Sequence, residues 1–131
     1  MKKTLLFLLL AIVATACQES LEERCEREAK EFTKKHCPTM VDKLVRLDSM
    51  TFDRTTHTIG YAYTLTGQID DAEVISRNNP RQLLLSQVKN STHLKLYKEA
   101  GYSFRYVYYS TKKKGTKLFE ATFHQHDYDR Q

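Results

Sequence analysis

The sequence predicts an α+β domain in which a four-stranded antiparallel sheet carries its helices on one face. Three observations lead to this prediction: an amphipathic helical pattern early in the chain, two pairs of segments in which apolar and polar residues alternate, and a second helical region between those pairs. The order helix, hairpin, helices, hairpin gives an αββαββ arrangement, and such layers bury the apolar face of the sheet beneath the helices. A cystatin-like arrangement, with one long helix wrapped by the sheet, is the alternative.

The first 17 residues, MKKTLLFLLLAIVATAC, have the three parts of an export signal. Lys2 and Lys3 form a short basic region, residues 4–13 are almost entirely apolar, and small residues follow. An apolar run of about ten residues is about 15 Å long as a helix, half of what a bilayer requires. The pattern therefore predicts a signal peptide rather than a permanent membrane helix.

The end of this segment, Ala14-Thr15-Ala16-Cys17, resembles the lipobox of bacterial lipoprotein signals, which ends at the cysteine to be lipidated. Ala14 stands where the commonest lipobox has leucine, and the same residues also fit ordinary cleavage after A-x-A. We favour lipidation, since an ordinary secreted protein rarely begins with a free cysteine. The resemblance implies a diacylglycerol and usually an acyl amide on Cys17, which make a stable anchor where a single chain would not. Gln18 in the next position resembles the signal for outer-membrane delivery, and the segment CQESLEE also resembles, loosely, the acidic surface-export tags of Bacteroidota lipoproteins. The domain is therefore expected either in the periplasm or at the cell surface.

These boundaries divide the chain into a signal peptide (1–16), a lipidated tether (17–20) and a single α+β domain (21–131). Removing Lys2 and Lys3 lowers the formal charge from +5 to +3. The remaining charges are interspersed, so we predict no nucleic-acid partner, and the export signal argues the same way. The expected partners are the membrane, through the lipid on Cys17, and an envelope protein or polymer.

The first predicted element is a helix over residues 19–36, which places Leu21, Cys25 and Ala29 on one face. The residue before Pro38 is disfavoured in helical conformation, so the helix is expected to end there. In a continuous helix, Cys25 and Cys37 would be about 18 Å apart, and a disulfide needs Cα atoms within about 7 Å. Either the helix starts after Cys25 or the two do not pair. We expect Cys25 to be a small core residue and Cys37 to be free or paired between molecules.

Alternating segments over 41–52 and 58–66 predict the first hairpin. Residues 68–78 fit either a short helix or an extended connection. Asn79-Pro80 is a helix start signal. The elements expected after it are helices over 81–90 and 92–100, with Leu94, Leu96 and Tyr97 inward, and strands over 102–109 and 116–126 joined by the basic turn 111–115.

Two groups of side chains are candidates for a site. His124 and His126 are two apart, so on a strand both imidazoles would share a face and reach one metal ion, although no motif places a third ligand. Arg105 and Tyr109 are expected on the open face of the sheet, where we expect them to form a binding surface. The tyrosines of the other face are expected to pack under the helices: Tyr61, Tyr63, Tyr106 and Tyr108.

The chain contains no nucleophile-elbow, zinc-protease or phosphate-loop motif, so we predict no catalytic residues, no cofactor and no enzymatic activity. The sequence predicts a lipid-anchored protein of the bacterial cell envelope that acts as a binding or accessory module for a protein or a cell-wall polymer. The alternative is a small metal-binding or metal-dependent hydrolytic protein using His124 and His126.

Overall fold

A computed structural model describes residues 18–130, so the signal peptide (1–16) and the lipidation prediction at Cys17 lie outside the described residues. None of the helices in that range is long and apolar enough to cross a membrane. The elements follow in this order: α1 (Leu21–His36), β1 (Thr39–Asp42), β2 (Val45–Asp53), β3 (Thr58–Leu65), a 3₁₀ turn (Gly67–Ile69), α2 (Ala72–Ser76), α3 (Pro80–Asn90), α4 (Lys95–Glu99), β4 (Ser103–Ser110), β5 (Lys117–Phe123) and α5 (Gln125–Tyr128).

The fold is mixed α+β, as predicted, but its sheet has five strands in the order β1-β2-β3-β4-β5. The four-stranded antiparallel sheet is therefore only partly right. β1–β2, β2–β3 and β4–β5 are antiparallel, whereas β3 and β4 run parallel, in register from Thr58↔Ser103 to Leu65↔Ser110.

The extra strand comes from the segment whose alternation was imperfect. Residues 41–52 were expected to form one strand, but the chain turns at Lys43 and pairs Asp42 with Val45. The Asp42 carboxylate accepts a hydrogen bond of 2.7 Å from the Lys43 N–H group, which stabilises this turn. β1 is consequently a short strand at the edge of the sheet.

The parallel pair follows from the long connection between β3 and β4. Parallel neighbours need a crossover, and here the chain returns to the starting end of the sheet through α2, α3 and α4. Because several helices share the layer over the sheet, the cystatin-like alternative with one wrapped helix does not describe the molecule.

The core lies between the helices and one face of the sheet. Ile59, Phe104 and Phe123 are fully buried there, against Cys25 from α1 and Val88 from α3. Helices on one face and Cys25 as a core residue are therefore confirmed. The four tyrosines also pack on this face, in two stacked pairs with ring centroids 5.2 and 4.7 Å apart: Tyr61–Tyr106 and Tyr63–Tyr108.

α1 begins where the Ser20 side chain accepts a hydrogen bond from the Glu23 N–H group, and it continues unbroken past Cys25. The two described cysteines therefore stand about 18 Å apart and do not pair with each other. α1 also makes a bond to the sheet: the Thr33 hydroxyl donates to the carbonyl of Met50 at 2.8 Å and accepts from its N–H group at 2.9 Å.

The helices of the crossover differ in detail from the prediction. α3 begins at Pro80, but Asn79 adopts a left-handed conformation (φ 49°) and makes no side-chain cap. α4 covers only Lys95–Glu99, and Leu96, expected inward, is 44% exposed. Leu94 and Tyr97 are buried as expected.

Candidate functional site

The face of the sheet opposite the helices is uncovered, and it forms an open-face groove of about 450 Å³. Side chains of β2, β3, β4 and β5 line it, together with the turn between β2 and β3. The lining residues are Ser49, Thr51, Asp53, Thr56, Thr58, Gly60, Tyr61, Ala62, Arg105, Val107, Tyr109, Thr122 and His124.

Small side chains form the floor of this groove. A Cβ atom at Gly60 would come within 2.6 Å of the Thr51 hydroxyl oxygen, so the present position of Thr51 requires glycine there. Ala62 and Val107 continue the floor, and Val107 is only 6% exposed. These residues have short side chains, so little side-chain volume rises from the floor of the groove.

Arg105 and Tyr109, the candidate binding residues, both line the groove. The Arg105 Nε group donates to Glu120 at 2.6 Å, which holds the guanidinium along the sheet surface. The pKa of the Glu120 carboxyl group is below its ordinary value, because the carboxylate accepts hydrogen bonds from Lys117, the larger effect, and from Arg105. The expected position of the two residues is confirmed, and their role in binding stays a prediction.

The groove continues into a basic pocket of about 500 Å³ at the far end of the open face. Tyr109 lines both depressions, and in the pocket it faces Arg46 and Lys114. Lys114 belongs to the turn between β4 and β5, which carries three consecutive lysines: Lys112, Lys113 and Lys114.

A buried carboxylate holds the basic turn in place. Asp70 is 6% exposed, and its Oδ2 atom accepts hydrogen bonds from the N–H groups of Thr111 (3.0 Å) and Lys112 (2.8 Å). The Ser110 hydroxyl and then the Lys112 N–H group hold the pKa of Asp70 below its ordinary value. Sequence reasoning missed this residue, because a single aspartate 41 residues before the turn carries no local signal.

The strand expected over 116–126 is wrong at its end. β5 stops at Phe123, and His126 lies in the short helix α5, with His124 just before it. The argument that both imidazoles share a strand face therefore fails, although their ring centroids are 5.8 Å apart. His124 Nδ1 is 2.7 Å from the Ser103 hydroxyl oxygen. Among residues 18–130 no three His, Cys, Asp or Glu side chains are grouped to hold a metal ion, and the metal hypothesis stays a prediction.

A larger depression of about 580 Å³ lies on the other side of the molecule, between α2, α3 and β5. Its lining is mostly apolar, and it includes Leu85, Leu118 and Phe119. Its cationic side chain, Arg81, already packs over Phe123 at 4.9 Å and pairs with Asp127 at 3.7 Å. Ser76, Asn79 and Gln82 add polar groups to this lining, but its one cation is already paired. The open-face groove is the stronger candidate, because Arg105 and a larger number of hydroxyl side chains line it.

Comparison with known proteins identifies a similar fold and a matching family. A solved structure of a protein from Pseudomonas aeruginosa, described as a candidate secreted protein, superimposes with a TM-score of 0.67 at 15% identity. The match covers 84% of this chain and 98% of that one, which shows a shared fold. No curated protein gives a significant match. Residues 20–119 match the model of a family described as "Domain of unknown function (DUF8479)". The chain therefore belongs to the DUF8479 family.

Proposed function

We propose that the protein is a lipid-anchored component of the bacterial cell envelope whose open sheet face binds a partner without catalysing a reaction. The observation that carries this proposal is the open-face groove: the helices cover one face of the sheet and leave the other uncovered. Arg105 and Tyr109 stand in it with a row of hydroxyl side chains, which suits recognition by hydrogen bonds and stacking.

The anchor is supported by the sequence around Cys17 and by the position of α1. The helix begins at Leu21, so only a short tether separates the modified cysteine from the folded domain. The fold shared with a candidate secreted protein is consistent with export. Gln18 after the cysteine supports delivery to the outer membrane.

The anchor is tested by the intact mass of the protein extracted from membranes of an expressing bacterium. We expect a chain that starts at Cys17 and carries the added mass of a diacylglycerol and an acyl group. An unmodified chain in the soluble fraction would contradict the anchor.

The binding role is tested by photo-crosslinking in the same cells. A photoreactive residue replaces Thr122 in the groove, and a control replaces Leu96, which is exposed on the helical side. We expect a crosslinked product from position 122, either a discrete protein adduct or material that stays with the insoluble cell wall, and none from position 96. The same pattern from both positions, or no product from either, would contradict a binding role for the groove.

The alternative is a metal-dependent function at His124 and His126, favoured only by the 5.8 Å approach of their rings. Zinc analysis of the purified protein separates the two proposals. Stoichiometric zinc that is lost in both His124→Ala and His126→Ala would favour the alternative, and a protein without affinity for zinc would end it.

A further inference from the structure

We propose that the partner of the open face is the acidic glycan of the cell wall, a polymer of sugar rings that carries carboxylates. Its rings lie over Tyr109, and its carboxylates face the basic pocket with Arg46 and Lys114. This inference rests on the proposed function and specifies the partner of the same groove.

The lining of the groove matches a polyhydroxylated ligand. Five hydroxyl side chains face it, and a hydroxyl group can both donate and accept hydrogen bonds, as sugar hydroxyls do. Tyr109 adds an aromatic ring to the lining, and the short side chains of the floor leave room for a sugar ring within the volume of about 450 Å³. The hydroxyl residues are Ser49, Thr51, Thr56, Thr58 and Thr122.

The same surface differs from a typical protein interface in its apolar content. Protein interfaces are enriched at their centre in aromatic residues, methionine and arginine, and they are depleted in serine. Arg105 and Tyr109 fit that description, but most of the groove is lined by small and hydroxyl side chains. In the part of the chain that the structure describes, the large apolar side chains that are clearly exposed all lie outside the groove: Met40, Val41, Leu83 and Leu96. The composition of the open face therefore favours a polar, hydroxyl-rich partner.

Charge favours an acidic polymer, and the excess positive charge comes from the basic turn. On the strands the charges are matched: Arg46 pairs with Asp48 at 2.6 Å, and Glu120 lies between Arg105 and Lys117. The Asp53 carboxylate also lines the groove, at the end away from the basic pocket. The basic turn adds Lys114 to the lining of the pocket and carries two more lysines next to it. Its carboxylate partner Asp70 is buried behind the turn and bonds to backbone N–H groups, so the lysine side chains still present a positive surface.

The position of the tether agrees with a ligand in the wall. The start of α1 touches the β2–β3 turn through Glu22 and His57, whose side-chain atoms are 2.7 Å apart. The His57 carbonyl accepts a hydrogen bond from the Ser103 N–H group, so β4 starts at this same end. Eight residues of strand then carry the chain about 25 Å to Ser110 and the basic turn. A lipid on Cys17 holds the first end at the membrane, and the basic turn points away from it.

The test is co-sedimentation of the purified mature protein, kept in detergent micelles, with insoluble peptidoglycan sacculi. Lys113→Glu with Lys114→Glu reverses two charges in the basic turn and spares Lys112, which lies against Asp70. The matched control, Lys30→Glu with Lys95→Glu, makes the same change in net charge on the helical side, where these side chains are 76% and 75% exposed. We expect the turn variant to bind at least about tenfold more weakly than the wild type and the control to bind within about twofold, because charge contacts act at short range.

Tyr109→Ala tests the stacking contact separately, and we expect it to weaken sedimentation with sacculi by about tenfold, within the range of ring-stacking contacts. Equal losses in the turn variant and its charge control would overturn the inference, as would a wild type that stays in the supernatant.

Failure here leaves the proposed function standing if position 122 still crosslinks to a discrete protein, and in that case the partner is a protein. Loss of both signals would end the two proposals together.

Discussion

The two cysteines of the described chain differ in their degree of burial, which predicts a difference in their reactivity. Cys25 is 1% exposed, and burial raises the pKa of its thiol to about 12. Cys37 is partly exposed at the end of α1. In the native protein we expect a thiol reagent to modify Cys37 and to leave Cys25 unmodified until the chain unfolds, as read by mass spectrometry of labelled peptides.

The same contrast holds for stability. Cys25→Ser places a hydroxyl group in an apolar core and should lower the free energy of unfolding by about 1–3 kcal/mol. Cys37→Ser should change it by less than about 0.5 kcal/mol, because surface substitutions rarely do more. Denaturant titration of both variants measures the difference, and equal effects would show that Cys25 is not packed as described.

Asp70 predicts a pH dependence of stability. Its pKa is lower in the folded chain than in the unfolded chain, so its contribution is fully present above the unfolded pKa and is lost as the pH falls through the folded pKa. In Asp70→Asn we expect the free energy of unfolding to fall less between neutral and acidic pH than in the wild type, and the Thr111 and Lys112 amides to exchange hydrogen faster. Denaturant titrations at several pH values measure the first effect. The same fall in both proteins would show that Asp70 does not contribute to the pH dependence of stability.

At the scale of elements, one side chain joins α1 to the sheet. β1 is short and pairs with β2 only as far as Leu47, so the backbone of Met50 has no neighbouring strand on that side. The Thr33 hydroxyl forms hydrogen bonds with both the N–H and the carbonyl group of Met50 there. Thr33→Val removes both bonds while keeping the shape, and we expect the free energy of unfolding to fall by about 1–3 kcal/mol. Thr33→Ser keeps the hydroxyl and should cost clearly less, so equal losses in the two variants would show that the bonds do not matter.

The elements also show how far sequence patterns reach. α1, β3 and β4 were predicted nearly to their ends, since each repeats its own period over at least seven residues. The end of the 116–126 segment was predicted wrongly as strand, because residues 125–128 form a short helix. This helix buries Tyr128, whose hydroxyl donates a hydrogen bond to the Tyr102 carbonyl at 2.7 Å. That contact joins residues 26 positions apart, so the alternation of apolar and polar residues along one segment does not predict it.

At the scale of the whole molecule, the tether and the basic turn lie at opposite ends of the sheet. In a Cys37→Ser background, a fluorophore is placed on Thr55→Cys in the β2–β3 turn or on Lys113→Cys in the basic turn. In vesicles with quencher-labelled lipids we expect strong quenching at position 55 and little at position 113, which is about 25 Å further along the sheet. Equal quenching at both positions would mean that the domain lies flat on the membrane.

The sequence by itself determined the α+β class, the buried and open faces of β3 and β4, the core position of Cys25 and the placement of Arg105 and Tyr109 on the open face. Period and polarity are properties of neighbouring residues, so a single chain displays them. Only the tertiary structure decided the parallel pairing of β3 and β4, the fifth strand, the separation of His124 and His126 from a common strand face, and the union of Arg46, Tyr109 and Lys114 in one pocket. These features depend on which distant segments meet, and that is settled by how the crossover helices bury their apolar sides against the sheet.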